Sequence, residues 1–266
     1  MSTESRYLSF CGVQTHFRVK MPETPIRKRI LFLCSPGMST FHWRKLLPEM
    51  EEEDALVVLA DFPEFGRSEC RYRTDRSWNT QASILWGILD ETDRSTGTPM
   101  SMWHMIGHGA ACRALYTMLR MSPDSVCSQG YISPLLTGVR TDALRHICTD
   151  DAEAFRDAAE WLSGYALEDY VLNRAREPLL RIGMQFVLDS VLRTELPRGF
   201  AGNFCPTLVV YGERDPLMDA RQRRVSEQYL PEAERHILKS AGHYPMETHS
   251  RALRDYLRGW FRYLGE

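Results

Sequence analysis

The chain has 266 residues, of which 43% are hydrophobic, so it is long enough to bury the core of one α/β domain that carries an insertion. Its formal net charge of −2 provides no basic surface of the kind that nucleic acid or an acidic membrane requires. The N-terminal segment lacks the basic start and apolar core of a secretory signal, and no apolar run approaches the roughly 20 residues that span a bilayer. We therefore expect a cytoplasmic protein with a small hydrophobic partner, and neither nucleic acid nor a membrane.

The first half of the chain alternates strand and helix patterns. Residues 7–20 alternate around a glycine, which predicts two antiparallel strands joined by a tight turn. Residues 30–34 and 55–61 are continuous apolar runs, typical of strands covered on both faces. Between them, helical spacing of apolar residues predicts a helix that begins near Phe41. Residues 81–89 form an apolar helical stripe that predicts a further helix.

Residues 102–115 organise the rest of the chain. They contain a short apolar run, a Gly-His-Gly turn and a small-residue segment, which together predict a buried strand that turns sharply into a buried helix. Residues 130–134 then predict another short strand.

The second half of the chain contains the predicted insertion. The strand pattern stops between residues 137 and 203, where the composition is charged and helical, and it returns at 206–211 and 235–238. An amphipathic helix over 251–264 closes the chain. We therefore expect a core of residues 1–136 and 204–266, with a mostly parallel sheet in three layers, and a helical cap of residues 137–203.

The seven cysteines include no C-x-x-C pair and no Cys/His spacing typical of zinc. An odd number of scattered cysteines indicates free, mostly buried thiols in a reducing compartment. We expect neither a metal nor a cofactor.

Four segments resemble sequence motifs of the α/β-hydrolase superfamily, in particular its capped epoxide-hydrolase-like and esterase-like members. Residues 107–111 resemble the G-x-S-x-G elbow, but Gly109 stands at the nucleophile position. Residues 61–68 resemble its D-x-P-G-F-G-x-S loop, 212–216 its G-x-x-D loop and 240–247 its G-H-x-P-x-E loop. The resemblance covers nearly the whole chain and implies a three-layer α/β-hydrolase fold with a helical cap.

The resemblance implies catalytic roles for Asp215 and His243. In the superfamily these loops supply the acid that orients a histidine, and such a pair is a competent general base without a serine. Each residue also has a purely structural interpretation, since Asp215 could cap the next helix and His243 could be a satisfied loop histidine. Their joint occurrence in family-like loops favours a preserved dyad.

The resemblance also implies an altered oxyanion hole. One donor in the superfamily is the N–H after the nucleophile, which here belongs to Ala110. The second comes from the loop after an earlier strand, where Pro36 has no N–H to give. If this loop is shifted by a residue, Gly37 or Met38 could donate instead. His108 and Ser35 are further candidates for the wall of the pocket.

Two residues could restore a nucleophile. Cys112 lies nearly one helical turn beyond Gly109, so we expect its sulfur to point into the packing of the helix. Ser35 borders the pocket and could act if it reaches His243. Glycine adopts the strained turn freely at position 109, and we expect it to leave room in front of His243.

Three functions remain open. The first is an enzyme without a covalent intermediate, in which His243 and Asp215 act on a small hydrophobic carbonyl compound as a lyase, cyclase, isomerase or water-mediated hydrolase. The second is a non-catalytic protein that binds a small molecule or another protein. The third is a serine hydrolase whose nucleophile has been replaced, naturally or by engineering. Cap aromatics, which helical spacing also assigns to packing, are candidates for the pocket: Trp161, Tyr165 and Phe186.

Overall fold

Eight strands form one sheet in the part of the chain that the computed structural model describes, residues 3–50, 54–71, 74–97, 102–139, 144, 146–196 and 205–265. The strands are Glu4–Phe10 (β1), Val13–Lys20 (β2), Lys28–Leu33 (β3), Ala55–Ala60 (β4), Trp103–His108 (β5), Val126–Ile132 (β6), Thr207–Gly212 (β7) and Glu234–Leu238 (β8). Their order across the sheet is β1-β2-β4-β3-β5-β6-β7-β8. Only β2 pairs antiparallel, with β1 and β4, among these strands. The prediction of a mostly parallel sheet is confirmed.

Helices cover both faces of this sheet. The α-helices are Trp78–Thr96 (α1), Cys112–Met121 (α2), Ala152–Ser163 (α3), Asp169–Arg176 (α4), Met184–Arg193 (α5), Ala220–Tyr229 (α6), Pro245–Thr248 (α7) and Ser250–Tyr263 (α8). Alternate residues of β3 enter different cores, since Leu31 and Leu33 pack with α1 and α2 while Ile30 and Phe32 pack with α8. The sheet therefore separates two apolar cores, which confirms the three-layer α/β architecture.

The prediction of a helix that begins near Phe41 is wrong. Two short 3₁₀ segments, Thr40–Trp43 and Leu47–Met50, occupy this region instead. Pro48 has no N–H to bond back to the preceding turn, so a continuous α-helix cannot pass through it. Trp43 and Leu46 are nevertheless buried, so the apolar spacing identified core residues although it gave the wrong element.

The region predicted as a cap contains α3, α4 and α5 and the 3₁₀ turn Glu177–Leu180. Residues 140–143, 145 and 197–203 lie outside the described residues, so the boundary at 203 stays a prediction. In the described ranges, none of the helices has both the length and the apolar character needed to cross a bilayer.

Candidate active site

The turn after β5 presents position 109 at the edge of the sheet. β5 ends at His108, a single 3₁₀ turn spans Gly109–Ala111, and α2 follows directly. Gly109 has φ +59°, in the left-handed region where a β-carbon is strained. The predicted strand, turn and helix are therefore present, with glycine at the most strained position of the turn.

Asp215 and His243 come together across neighbouring strands. Asp215 follows β7 and His243 follows β8, and the carboxyl ends of these parallel strands lie at the same edge. The distance from His243 Nδ1 to Asp215 Oδ2 is 2.8 Å, and both residues are buried. The N–H of Leu217 donates to the other Asp215 oxygen at 2.9 Å.

The pKa of Asp215 reflects opposing effects. Burial on its own raises this pKa, but the charge and hydrogen bond of His243 and the Leu217 N–H outweigh it and hold the pKa below the usual range. The carboxylate is therefore ionised at neutral pH. It accepts a hydrogen bond from the Nδ1–H of His243. Nε2 of that ring therefore carries no proton and can accept one.

The loop that carries His243 is held directly against the cap. The backbone N–H of His243 donates to the carbonyl of Leu162 at 2.7 Å, near the end of α3. A β-carbon on Gly242 would lie 2.2 Å from the carbonyl oxygen of Ser163, so this contact requires glycine. The His243 Nε2 lies 3.5 Å from the position that a β-carbon on Gly109 would take. Nε2 of His243 therefore faces position 109.

Ser35 occupies part of the space expected in front of His243. Its Oγ accepts a hydrogen bond from the Ala110 N–H at 3.3 Å. The same Oγ lies 2.7 Å from the position of a β-carbon on Gly109. The space expected at position 109 is therefore only partly open, because a neighbouring loop places a hydroxyl in the volume that the missing side chain leaves.

We expect Gly109→Ser to destabilise the fold. The new β-carbon would meet Ser35 Oγ. Residue 109 would also have to keep the positive φ of Gly109, at a strain cost of about 1–3 kcal/mol. The double variant Gly109→Ser/Ser35→Gly removes the contact but keeps the φ strain, so it should lose less than the two single changes summed. Urea unfolding of all four proteins measures this coupling. Strictly additive free energies would contradict the packing of Ser35 against position 109.

Of the two candidate N–H groups in the loop after β3, only that of Gly37 remains as an oxyanion donor. The N–H of Met38 donates to the Ser35 carbonyl at 2.9 Å, so the predicted alternative at Met38 is wrong. The N–H of Gly37 has no acceptor among the described residues, and Gly37 has φ +88° and lies in the wall of the same cavity. Of the two candidate backbone donors, Gly37 therefore has an N–H without an acceptor in the described part of the chain, while the Ala110 N–H donates to Ser35 Oγ.

His108 and Cys112 have supporting positions. The ring of His108 is fully buried, and its Nε2–H donates to the His243 carbonyl at 2.8 Å. Burial and the neighbouring His243 ring hold the pKa of His108 well below its ordinary value, so it stays neutral. The Cys112 thiol donates to the Gly107 carbonyl at 3.3 Å, and burial raises its pKa. Cys112 therefore points into the packing, whereas His108 positions the loop of His243.

The cavity in front of His243 is small and apolar. Its volume is about 40 Å³, and its wall includes Ser35, Gly37, Met38, His108 and His243. The apolar lining comes mainly from the predicted cap region and the loops around it: Leu135, Leu144, Ile147, Leu162, Leu188, Leu192 and Leu217. In the described ranges, no three His, Cys, Asp or Glu side chains are placed to hold a metal ion.

The three cap aromatics do not line this cavity, so that prediction is wrong. Trp161, Tyr165 and Phe186 are 48%, 40% and 67% exposed. Trp161 and Phe186 lie on α3 and α5, which present Leu162 and Leu188 to the interior instead. Tyr165 lies in the loop after α3. Helical spacing identified the amphipathic helices, but it did not identify which apolar residues face inward.

Glu247, the last residue of the family-like segment 240–247, forms an ion pair that the sequence pattern does not indicate. Its carboxylate accepts two hydrogen bonds from the Arg44 guanidinium, both at 2.6 Å, and lies 2.8 Å from the Lys45 ammonium. Arg44 and Lys45 follow the 3₁₀ segment Thr40–Trp43, so this ion pair ties the chain beyond His243 to the loop that carries Ser35. Its place in a family-like motif was the available signal.

No family model and no curated protein matches the sequence, whereas solved structures match over nearly its whole length. A bacterial membrane phospholipase A described as a virulence factor has a TM-score of 0.82 at 16% identity, over 99% of this chain and 87% of the other. The epoxide hydrolase CorEH has a TM-score of 0.82 at 13% identity, over 99% of this chain and 100% of the other. A meta-cleavage product hydrolase from Pseudomonas fluorescens IP01 has a TM-score of 0.80 at 16% identity, over 97% of each chain. From its sheet order, its elbow turn and these similarities, the chain has the α/β-hydrolase fold.

Proposed function

We propose that the protein is an enzyme in which His243, oriented by Asp215, acts as a general base on a small hydrophobic carbonyl compound. The observation that carries the proposal is the 2.8 Å contact between His243 Nδ1 and Asp215, which leaves Nε2 facing position 109. The reaction forms no covalent intermediate at position 109, because glycine has no nucleophile. This chemistry suits a lyase, a cyclase, an isomerase or a water-mediated hydrolase, acting for example on a secondary metabolite.

The groups around Gly109 support a developing negative charge on the substrate oxygen. The Ala110 N–H points at Ser35 Oγ, and the Gly37 N–H lies in the same cavity wall. Because Ser35 accepts from Ala110, its own hydroxyl hydrogen is available to a substrate oxygen. The Gly37 N–H and this hydroxyl would stabilise the oxyanion while His243 Nε2 takes the proton, and the Ala110 N–H would hold Ser35 in place.

A non-catalytic binding protein is the second candidate, and the cavity volume favours it. A volume of about 40 Å³ holds only a few water molecules. A substrate of several carbon atoms therefore enters only if α3 and α5 move away from the elbow. A binder that never admits such a substrate would keep the dyad as a structural contact.

A serine hydrolase that has simply lost its nucleophile is less well supported. Ser35 occupies the space next to position 109, so a serine there would require the Ser35 side chain to rotate. The two positions are therefore adapted to one another in the present sequence.

The test is turnover of a panel of small apolar esters, ketones and cyanohydrins by the wild type and by Ser35→Ala. We expect measurable wild-type turnover and a loss of about tenfold in Ser35→Ala, the value of one hydrogen bond. Intact-protein mass spectrometry during ester turnover should show no acyl adduct. An adduct on Ser35 would replace base catalysis by nucleophilic catalysis, and a wild type inactive on every probe would favour the binding protein.

A further inference from the structure

A second and much larger cavity lies apart from the dyad. We call it the arginine cavity, after the five side chains in its wall: Arg18, Arg44, Arg67, Arg174 and Arg181. Its volume is about 500 Å³, and it shares no lining residue with the cavity in front of His243. The arginines come from β2, from the loops after β3 and β4, and from α4 and the turn after it. Four segments that are separate in sequence thus converge on one cationic space.

Two of the five arginines are neutralised by carboxylates. Arg44 makes the paired hydrogen bonds to Glu247, and Arg174 donates to Glu177 at 3.0 Å. Their charges are therefore compensated, and they contribute mainly shape and apolar contact. The Arg44 guanidinium lies 4.0 Å from the centre of the Phe41 ring, which forms part of the same wall.

The other three have no carboxylate in contact. Arg181 donates only to backbone carbonyls, those of Ser68 at 2.7 Å, Glu64 at 2.9 Å and Pro178 at 3.0 Å. The side chains of Arg18 and Arg67 have no hydrogen-bond or ion-pair partner within the described ranges. Half-burial lowers the pKa of Arg181, as expected for a guanidinium that lacks a close counterion.

The carboxylate in the wall that could neutralise them is Asp61, and it is engaged inside the protein. Its oxygens accept from the backbone N–H groups of Thr40 at 2.6 Å and Arg67 at 2.8 Å, and from His16 Nδ1 at 2.7 Å. Asp61 is fully buried. Its charge therefore offsets at most one of the three guanidinium groups and leaves the cavity with a cationic surplus.

The geometry points to a binding site for a phosphate-bearing organic anion in the arginine cavity. Arg18 and Arg67 would supply forked N–H donors, a geometry that matches phosphate oxygens, and Arg181 would add positive potential from the wall. Phe41 provides an apolar surface for the organic part of the ligand. The Ser5 hydroxyl, held 2.7 Å from His16 Nε2, completes the polar side of the cavity. This site is independent of the function proposed for His243.

The test is isothermal titration calorimetry of the whole protein with inorganic phosphate and with pyrophosphate. We expect saturable binding that is tighter for pyrophosphate than for phosphate, because pyrophosphate carries more negative charge. Added salt should weaken the binding, because it screens the attraction between the charges. Arg18→Gln and Arg67→Gln should each weaken it at least about tenfold, the value of a lost charge-assisted hydrogen bond. The control is Arg27→Gln, an exposed arginine immediately before β3 that is outside the cavity wall, and it should bind like the wild type.

Absence of saturable binding, or equal weakening in Arg27→Gln, would overturn the site. Thermal melts of all variants show whether each one is folded. Sedimentation with vesicles of phosphatidylcholine, with and without phosphatidic acid, identifies the source of the phosphate. Cosedimentation only with phosphatidic acid, lost in Arg18→Gln, would assign a lipid headgroup, and binding of free pyrophosphate alone would assign a soluble metabolite.

Discussion

Replacing Arg113 by methionine is expected to lower the free energy of unfolding by about 3–5 kcal/mol, because each buried carbonyl that loses its donor costs about 1–3 kcal/mol. Arg113 lies on α2, directly after the elbow, and is fully buried. Its guanidinium donates to four backbone carbonyls: those of Leu135, Thr137, Leu192 and Thr194. Removal of the guanidinium leaves the carbonyls of Leu135 and Leu192 buried without a side-chain donor. The carbonyls of Thr137 and Thr194 keep second donors, from Gln222 and Trp78.

The positions of the four acceptors explain the large stabilisation expected from Arg113. Leu135 and Thr137 follow β6, whereas Leu192 and Thr194 lie at the end of α5, so one side chain joins the sheet to the last cap helix. Burial lowers the pKa of Arg113 to about 10, which still leaves it charged at neutral pH. The ring of Trp78 lies 5.3 Å from the guanidinium and covers it from α1.

Urea unfolding monitored by tryptophan fluorescence measures this effect. Arg113→Lys should fall between the wild type and Arg113→Met, since an ammonium keeps the charge but cannot reach all four carbonyls. Arg120→Met, an exposed position on the same helix, should stay within about 0.5 kcal/mol of the wild type. A loss below about 1 kcal/mol in Arg113→Met would show that the cap docks without this residue.

Replacing Asp215 by asparagine is expected to reduce kcat by about 10²–10⁴-fold, with little change in KM, on any substrate that the panel identifies. The carboxylate only accepts hydrogen bonds, so it fixes the His243 proton on Nδ1 and leaves Nε2 basic. An amide can donate to Nδ1 instead, and the proton then moves to Nε2. The ring is in place in this variant but cannot accept a proton from the substrate.

A matched control separates this loss from a structural effect. Asp219→Asn makes the same substitution at the N-cap of α6, where the side chain accepts from the Gln222 N–H and asparagine caps equally well. His243→Gln should lose as much as Asp215→Asn, and the double variant should lose no more than either, because the two residues act as one unit. Wild-type turnover in Asp215→Asn would exclude the dyad as the base.

Much of the fold could be predicted from local pattern. Continuous apolar runs identified β3, β4 and β7, and the glycine within residues 7–20 identified the hairpin of β1 and β2, because these signals depend only on neighbouring residues. The exception near Phe41 arose where Pro48 interrupts an otherwise helical spacing. Positions of the elbow, of Asp215 and of His243 came from resemblance to motifs, since spacing alone does not bring distant loops together.

The sequence by itself determined that position 109 cannot be a nucleophile and that an acid and a histidine follow in the order of a hydrolase. Only the tertiary structure decided that Ser35 packs beside Gly109 and that leucines, not Trp161, Tyr165 and Phe186, line the cavity at His243. Likewise, only the fold gathers Arg18, Arg67 and Arg181 around one cavity. The physical reason is that a side chain's direction and its neighbours depend on how helices and loops pack across the sheet, and those contacts join residues far apart in the chain.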